Sequence, residues 1–256
     1  MTQLPRDGTA KEVLRRTRQA AYRGRECTQG APDLSGKRRA IVNRLAAVLC
    51  SLTSFATYSL QAQVVHWVPQ QVEAAIVARS ETPAAGGGEA DVTIVESLDY
   101  NCPFCKKTTP ELQKLLKADR RVRILYKEWP IFGDVSEYAA RSVLSANWQG
   151  KFLAAHNALI GAQDDLDAKS QVDSLLKGIG VDLKRLADDR IKHAAEIDAI
   201  LDRNAAEAKG LALRGTPGFL IGRQLVPTAL TLQQLLQLTT SARMSQQDDG
   251  KVAPAR

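Results

Sequence analysis

Short β-branched runs and long stretches of helical periodicity divide the chain. Val92-Thr93-Ile94-Val95 lies within a strand predicted over Asp91–Glu96, and Val122–Tyr126 predicts a second. Between them Lys106–Lys117 has helical character, so the three segments form a strand–helix–strand unit with a right-handed crossover. From Val135 to Leu213 apolar residues recur at helical spacing, as in Ala139, Ala140, Val143 and Leu144, and again in Leu153, Leu159 and Ile160. Gly178-Ile179-Gly180-Val181-Asp182 interrupts this region, with Asp182 a candidate N-cap. Phe219–Ile221 and Gln224–Val226 predict a hairpin turning at Gly222-Arg223, followed by a helix over Thr231–Thr239.

The N-terminal third is organised differently. Gln63–Arg79 predicts an amphipathic helix carrying Val65, Val68, Val72, Ala75 and Ile76, and Ser80–Gly88 predicts a flexible linker. Residues 63–90 thus form an N-terminal helix and linker, 91–240 the main domain and 241–256 a disordered polar tail. Upstream, Lys37-Arg38-Arg39 and Arg44 precede the apolar run Leu45–Leu60, with Ala62 a small residue suited to cleavage. Residues 37–62 therefore predict a secretory signal peptide, and residues 1–36 a disordered, arginine-rich extension that translation from a later start would omit. The alternative is an uncleaved inner-membrane anchor over residues 45–60.

Charge sharpens this picture. Residues 1–62 hold 11 Lys and Arg against 4 Asp and Glu, and the remainder holds 24 of each, so the whole net charge of +7 sits in the leader. The globular part is not basic, and no nucleic-acid partner is expected. Export places the mature chain in an oxidising compartment, where removal of Cys27 and Cys50 with the leader leaves Cys102 and Cys105 alone.

Those two cysteines carry the chemistry. Cys102-Pro103-Phe104-Cys105 opens the predicted helix, where unpaired N–H groups and the helix dipole favour the Cys102 thiolate. Cys102 is then the attacking sulfur and Cys105 the resolving one. Pro103 has no N–H to leave unpaired in the first turn, and Phe104 supplies an apolar rim. A structural disulfide would close too short a loop to stabilise the fold much. Zinc would need a second ligand pair, but Cys27, Cys50, His66, His156 and His193 are scattered. A soft dithiolate also suits Cu(I), so a non-catalytic copper- or zinc-binding module is the rival from another class.

Arg214-Gly215-Thr216-Pro217-Gly218 adds a second signal, a proline just before a short apolar strand, and a proline in such a turn is a candidate for a cis peptide bond. Taken with the strand–CPFC–helix unit, the pattern resembles the thioredoxin superfamily, and within it the DsbA family, over most of Val92–Thr239. Glu96 to Lys106 is similar to that family's strand-to-motif stretch, and Lys127-Glu128-Trp129-Pro130-Ile131-Phe132-Gly133 resembles its segment after the second strand. The resemblance implies an α/β thioredoxin-like fold with a helical insertion, here about residues 135–213, between the CxxC unit and the cis-proline strand. It also implies a protein disulfide oxidoreductase without a cofactor. Its partners would be unfolded or partly folded exported proteins and a membrane redox partner that resets the dithiol.

Departures from the family pattern bear on direction. An aromatic is usual where Ser97 and Leu98 stand. The oxidase at the head of the family carries histidine within its motif and valine before its cis-proline, so Phe104 with Thr216 resembles the isomerising or reducing branches. Phe104 gives the thiolate neither charge nor hydrogen bond, whereas the Thr216 hydroxyl can donate to a thiolate or to a bound peptide. A mild oxidant is expected, with Thr216, Pro217 and Phe104 binding substrate. Glu96 shares a strand face with Ile94 six positions before Cys102, where the family carries a buried acid, and there it can accept the Cys105 proton. Asp99 and Tyr100 are expected to shape the loop, and Lys106 and Lys107 to favour a nearby thiolate. His156, His193, Trp129 and Trp148 are expected in packing roles.

Overall fold

The computed structural model describes residues 65–78 and 82–251. The leader, including the signal or anchor over residues 37–62 and the extension before it, lies outside the described residues. Among these residues no helix is long and apolar enough to cross a membrane.

The predicted strand–helix–strand unit forms as β3 (Val92–Leu98), α2 (Pro103–Ala118) and β4 (Val122–Glu128), preceded by β1 (His66–Trp67), α1 (Gln70–Val77) and β2 (Ala84–Gly86). β3 and β4 pair in parallel, Glu96 beside Tyr126 and Leu98 beside Glu128. Both are buried along nearly their whole length, as a parallel pair covered on two faces requires. Next come α3 (Asp134–Ala146), a short 3-10 turn, α4 (Phe152–Ile160), α5 (Lys169–Gly178), α6 (Leu183–Lys192) and α7 (Ala194–Gly210). The hairpin β5 (Gly218–Ile221) and β6 (Gln224–Val226) and the closing helix α8 (Leu232–Lys251) complete the chain. The sheet order is β1-β6-β5-β3-β4-β2, with β5 antiparallel to β3, so the strand following Pro217 lies beside the strand leading to Cys102.

Alternation splits the core in two. Ile94, Leu98, Ile124 and Tyr126 face a large cluster with Leu112 and Leu115 of α2 and the residues of α3 to α6. Val95, Leu125 and Leu220 face a smaller one with Ile76, Ala208 and Trp129. The helical insertion is as expected in extent, and Asp182 caps α6 by accepting the Arg185 N–H at 3.0 Å.

Three boundaries differ from expectation, each for a local reason. The helix predicted from Gln63 starts only after Pro69, because a proline disfavours helical backbone in the residue before it. Val68 instead donates to the Arg223 carbonyl at 2.9 Å, and His66–Trp67 adds an edge strand to β6. The segment predicted as a flexible linker contributes β2. At Gly86, φ is +84° and a Cβ would stand 2.6 Å from the Val122 carbonyl oxygen, so its glycine serves close approach to β4. The tail predicted as disordered from residue 241 is helical to Lys251, anchored by buried Ala242 and by Arg243, which bonds Asp91 and Asp119 at 2.8 Å each.

Candidate active site

Cys102 is the N-cap of α2. Its sulfur accepts the Cys105 N–H at 3.4 Å, and Pro103 occupies the first helical position. The loop before it is held by Asp99, whose carboxylate accepts from Asn101 N, Ser136 Oγ, Ile131 N and Phe132 N at 2.6–3.1 Å. This ties the cysteine loop to the segment after β4, the loop-shaping role expected of Asp99. Asn101 reaches the helical insertion through paired bonds, donating to Leu166 O at 3.0 Å and accepting from Leu166 N at 2.8 Å. No sequence signal singled out Asn101, because its partner lies 65 residues away in an irregular loop.

Thr216-Pro217 is a cis peptide bond. It brings the Thr216 carbonyl to the dithiol, and the Cys102 thiol donates to that oxygen at 3.1 Å. The Thr216 hydroxyl is buried with no hydrogen-bond partner of ordinary geometry, yet it stands near enough to the sulfur to stabilise its charged form. As a thiolate Cys102 can no longer donate to the carbonyl, and the hydroxyl is one of the groups placed to donate to it.

The two sulfurs are not bonded to each other, and both cysteines are buried, Cys102 at 1% and Cys105 at 0% exposure, whereas Phe104 between them is 59% exposed. The Cys102 pKa is pulled down to about 6, chiefly by the Cys105 thiol donating to its sulfur and further by Thr216 and the N–H groups of Cys105 and Phe104. Burial drives the Cys105 thiol far above its usual range, reinforced by its bond to Cys102 and by the charge of Glu96. One sulfur is thus set to be a thiolate and the other to hold its proton. Lys106, expected to favour the thiolate, is engaged elsewhere, donating to Asp164 O at 2.7 Å.

Glu96 is buried at 1% exposure, and burial pushes its pKa up to about 8, with repulsion from Cys102 and Glu128 adding to it. Sequence reasoning gave Glu128 no role of its own. The alternation Val122, Ile124, Tyr126, Glu128 was the available signal, since it puts a carboxyl at the end of an apolar face. Trp129 and His156 pack in the core and Trp148 stacks on His193, with centroids 4.0 Å apart.

A groove of about 580 Å³ runs beside the dithiol, lined by Phe104, Thr216, Pro217, Arg214, His66 and Pro227. Phe104 and Pro217 were expected there. Its remaining walls are loops and the edge strand β1, where apolar helices had been anticipated. No group of three or more His, Cys, Asp or Glu suited to a metal ion occurs among the described residues.

Comparison with known proteins gives the arrangement its context. The profile of the DSBA-like thioredoxin domain matches residues 93–239. A thioredoxin-like oxidoreductase from Silicibacter pomeroyi is 38% identical, with a TM-score of 0.62 covering 65% of this chain and 95% of that one. The catalytic domain of Proteus mirabilis ScsC is 27% identical, with a TM-score of 0.59 over 68% of this chain and 97% of that domain. Among curated relatives, the Na(+)/H(+) antiporter NhaA 1 of Salinispora arenicola is 26% identical over 171 residues, 64% of this chain but 26% of the antiporter. The chain therefore spans about a quarter of the length of such relatives. A thioredoxin-like sheet with a helical insertion, a CxxC helix and a cis-proline strand meeting at Cys102, together with the matched profile, makes this chain a member of the DSBA-like thioredoxin domain family.

Proposed function

We propose that this chain is a periplasmic thiol–disulfide oxidoreductase that exchanges disulfides with unfolded or partly folded exported proteins, with donation slightly favoured over isomerisation or reduction. The observation that carries this reading is the pairing of a stabilised Cys102 thiolate with a buried, proton-holding Cys105, next to a groove whose wall includes Phe104 and the Thr216 that bonds Cys102.

When the dithiol is oxidised, a client thiolate attacks Cys102 Sγ and the Cys102–Cys105 bond breaks. Cys105 leaves and takes up a proton, which Glu96 supplies in this reading. A second client thiolate then attacks the client sulfur of the mixed disulfide. The client disulfide forms, and Cys102 leaves as the more stable thiolate. In the opposite direction the Cys102 thiolate attacks one sulfur of a client disulfide, the client S–S bond breaks and its other sulfur leaves as a thiolate, giving the mixed disulfide. Cys105 then loses its proton to Glu96, attacks Cys102 Sγ and releases the client thiolate. Client backbone pairs with Thr216, and its apolar side chains meet Phe104 and Pro217. A leader over residues 37–62, or an anchor over 45–60, delivers the domain to the periplasm, where a membrane redox partner resets it.

Equilibrating the full chain against a glutathione series, with the Cys102–Cys105 peptide read by mass spectrometry, tests the proposal. A potential of roughly −120 to −180 mV supports donation to clients. A value near about −270 mV recasts the protein as a reductase or isomerase. Absence of reversible exchange, with copper or zinc retained on the pair, returns the metal-binding module.

A further inference from the structure

Glu128 ends β4 on the same sheet face as Tyr126 and, like Glu96 on β3, is 1% exposed. Its Oε1 accepts from the Tyr100 hydroxyl at 3.3 Å, and the same hydroxyl lies 3.3 Å from His156 Nδ1 on α4. The second carboxyl oxygens of both Glu96 and Glu128 are buried without a partner. Two buried carboxyls are therefore neighbours on one sheet face, with Glu96 acting on the dithiol and Glu128 next along the paired strand, a cluster that packing alone does not require, since burying a polar group is costly.

The chain from Glu128 through Tyr100 to His156 can run in either direction. With Glu128 charged, Tyr100 donates to it and His156 Nδ1–H donates to Tyr100. With Glu128 protonated, its hydroxyl donates to Tyr100, which then donates to a bare Nδ1. His156 stays neutral at neutral pH, because burial pulls its pKa to about 4, and so serves both patterns. Glu128 can therefore gain or lose a proton without leaving Tyr100 unpaired.

We propose that Glu128 is a positioning residue for proton transfer at the dithiol: linked through Tyr100 to His156, it controls whether Glu96 is charged when Cys105 gives up its proton. This rests on the exchange chemistry proposed above. The groups facing the pair are Cys102 and Cys105 from α2, Tyr100 from the preceding loop, Tyr126 from β4 and His156 from α4. Lys127 acts on Glu128 from the opposite sheet face, where it pairs with Glu207 of α7. A charged Glu128 repels charge on Glu96, which then keeps its proton to higher pH.

The test is a single turnover of the reduced full chain with oxidised glutathione, acid-quenched and read by mass spectrometry across pH. Collapse of the Cys102–glutathione mixed disulfide to the Cys102–Cys105 disulfide isolates the Cys105 step. Glu128→Gln is expected to move the midpoint of that step down by about one pH unit, because the repulsion is gone. Tyr100→Phe should move it the same way, since losing the hydroxyl leaves Glu128 protonated to higher pH. It carries the test should Glu128→Gln fail to fold. In a Glu96→Gln background the effect of Glu128→Gln should vanish. Profiles of Glu128→Gln and wild type that superimpose, or an equal shift without Glu96, overturn the inference. Failure to form any mixed disulfide overturns the exchange reading itself, and this inference with it.

Discussion

The Cys102 thiol donates to the Thr216 carbonyl oxygen at 3.1 Å, across 114 residues of sequence. That carbonyl suits the thiol and opposes the thiolate, so the lowered Cys102 pKa needs donors elsewhere, among them the Thr216 hydroxyl. Thr216→Val keeps the shape and removes the donor. We expect the Cys102 pKa to rise by roughly half a unit to one unit, read from thiolate absorbance near 240 nm against pH. An unchanged titration would mean that the hydroxyl does not reach the sulfur.

Cys105 stabilises the Cys102 thiolate before it resolves anything. Its thiol is the largest contributor to the lowered pKa. Cys105→Ser retains an O–H donor and Cys105→Ala does not, so the alanine variant should show the higher Cys102 pKa. Both should accumulate mixed disulfides on non-reducing gels, because no second sulfur releases the client. Equal pKa values in the two variants would assign the depression to the helix N-terminus and the Thr216 hydroxyl, with no part for the Cys105 side chain.

The parts of this site that were legible in sequence are local ones. Cys102 and Cys105 are three residues apart on one helix start, and the strand alternation that buries Ile94 also buries Glu96. Pro217 was recognisable because proline restricts backbone, although its distance to Cys102 was not. The unread parts depend on partners distant in sequence. Asn101 meets Leu166, Tyr100 meets Glu128 and His156, and no periodicity encodes such pairings. Small residues misled in one place. The run Pro83–Gly88 has the composition of a linker, but Gly86 is needed for close approach to Val122. Polarity misled in another, since Arg243 is held by two carboxylates and the closing helix extends past it.

Asp99 anchors the cysteine loop by accepting four hydrogen bonds, three of them from backbone N–H groups. Asp99→Ala strands those donors in a buried setting, at a cost of about 2–4 kcal/mol. Urea unfolding of the reduced protein should show this loss with little change in slope. Asp99→Asn, which keeps one acceptor oxygen, should recover part of it. A loss below about 0.5 kcal/mol for the alanine variant would mean that the loop is held by Asn101 and the backbone alone.

Buried Glu96 makes stability depend on pH in a direction opposite to an ordinary salt-bridged acid. Its pKa is raised from an ordinary 4.5 to about 8, so between those values the folded chain holds a proton that the unfolded chain has released. Folding is then favoured by protons, and the contribution is fully present below about pH 4.5 and lost as pH rises through 8. Glu96→Gln removes the titration. Relative to wild type the variant should gain stability steadily from pH 5 to pH 8, reaching on the order of a few kcal/mol. Parallel urea titrations of both proteins in the reduced state check this, and reduction matters because the Cys102 thiolate titrates in the same window with the opposite sign. Its pKa is lowered to about 6, so its stabilisation is fully present only above the ordinary value of 9 and is lost as pH falls through 6. The difference between variant and wild type largely cancels that cysteine contribution and isolates Glu96. A difference that stays flat across the window would mean that Glu96 keeps an ordinary pKa and cannot serve as the proton acceptor for Cys105.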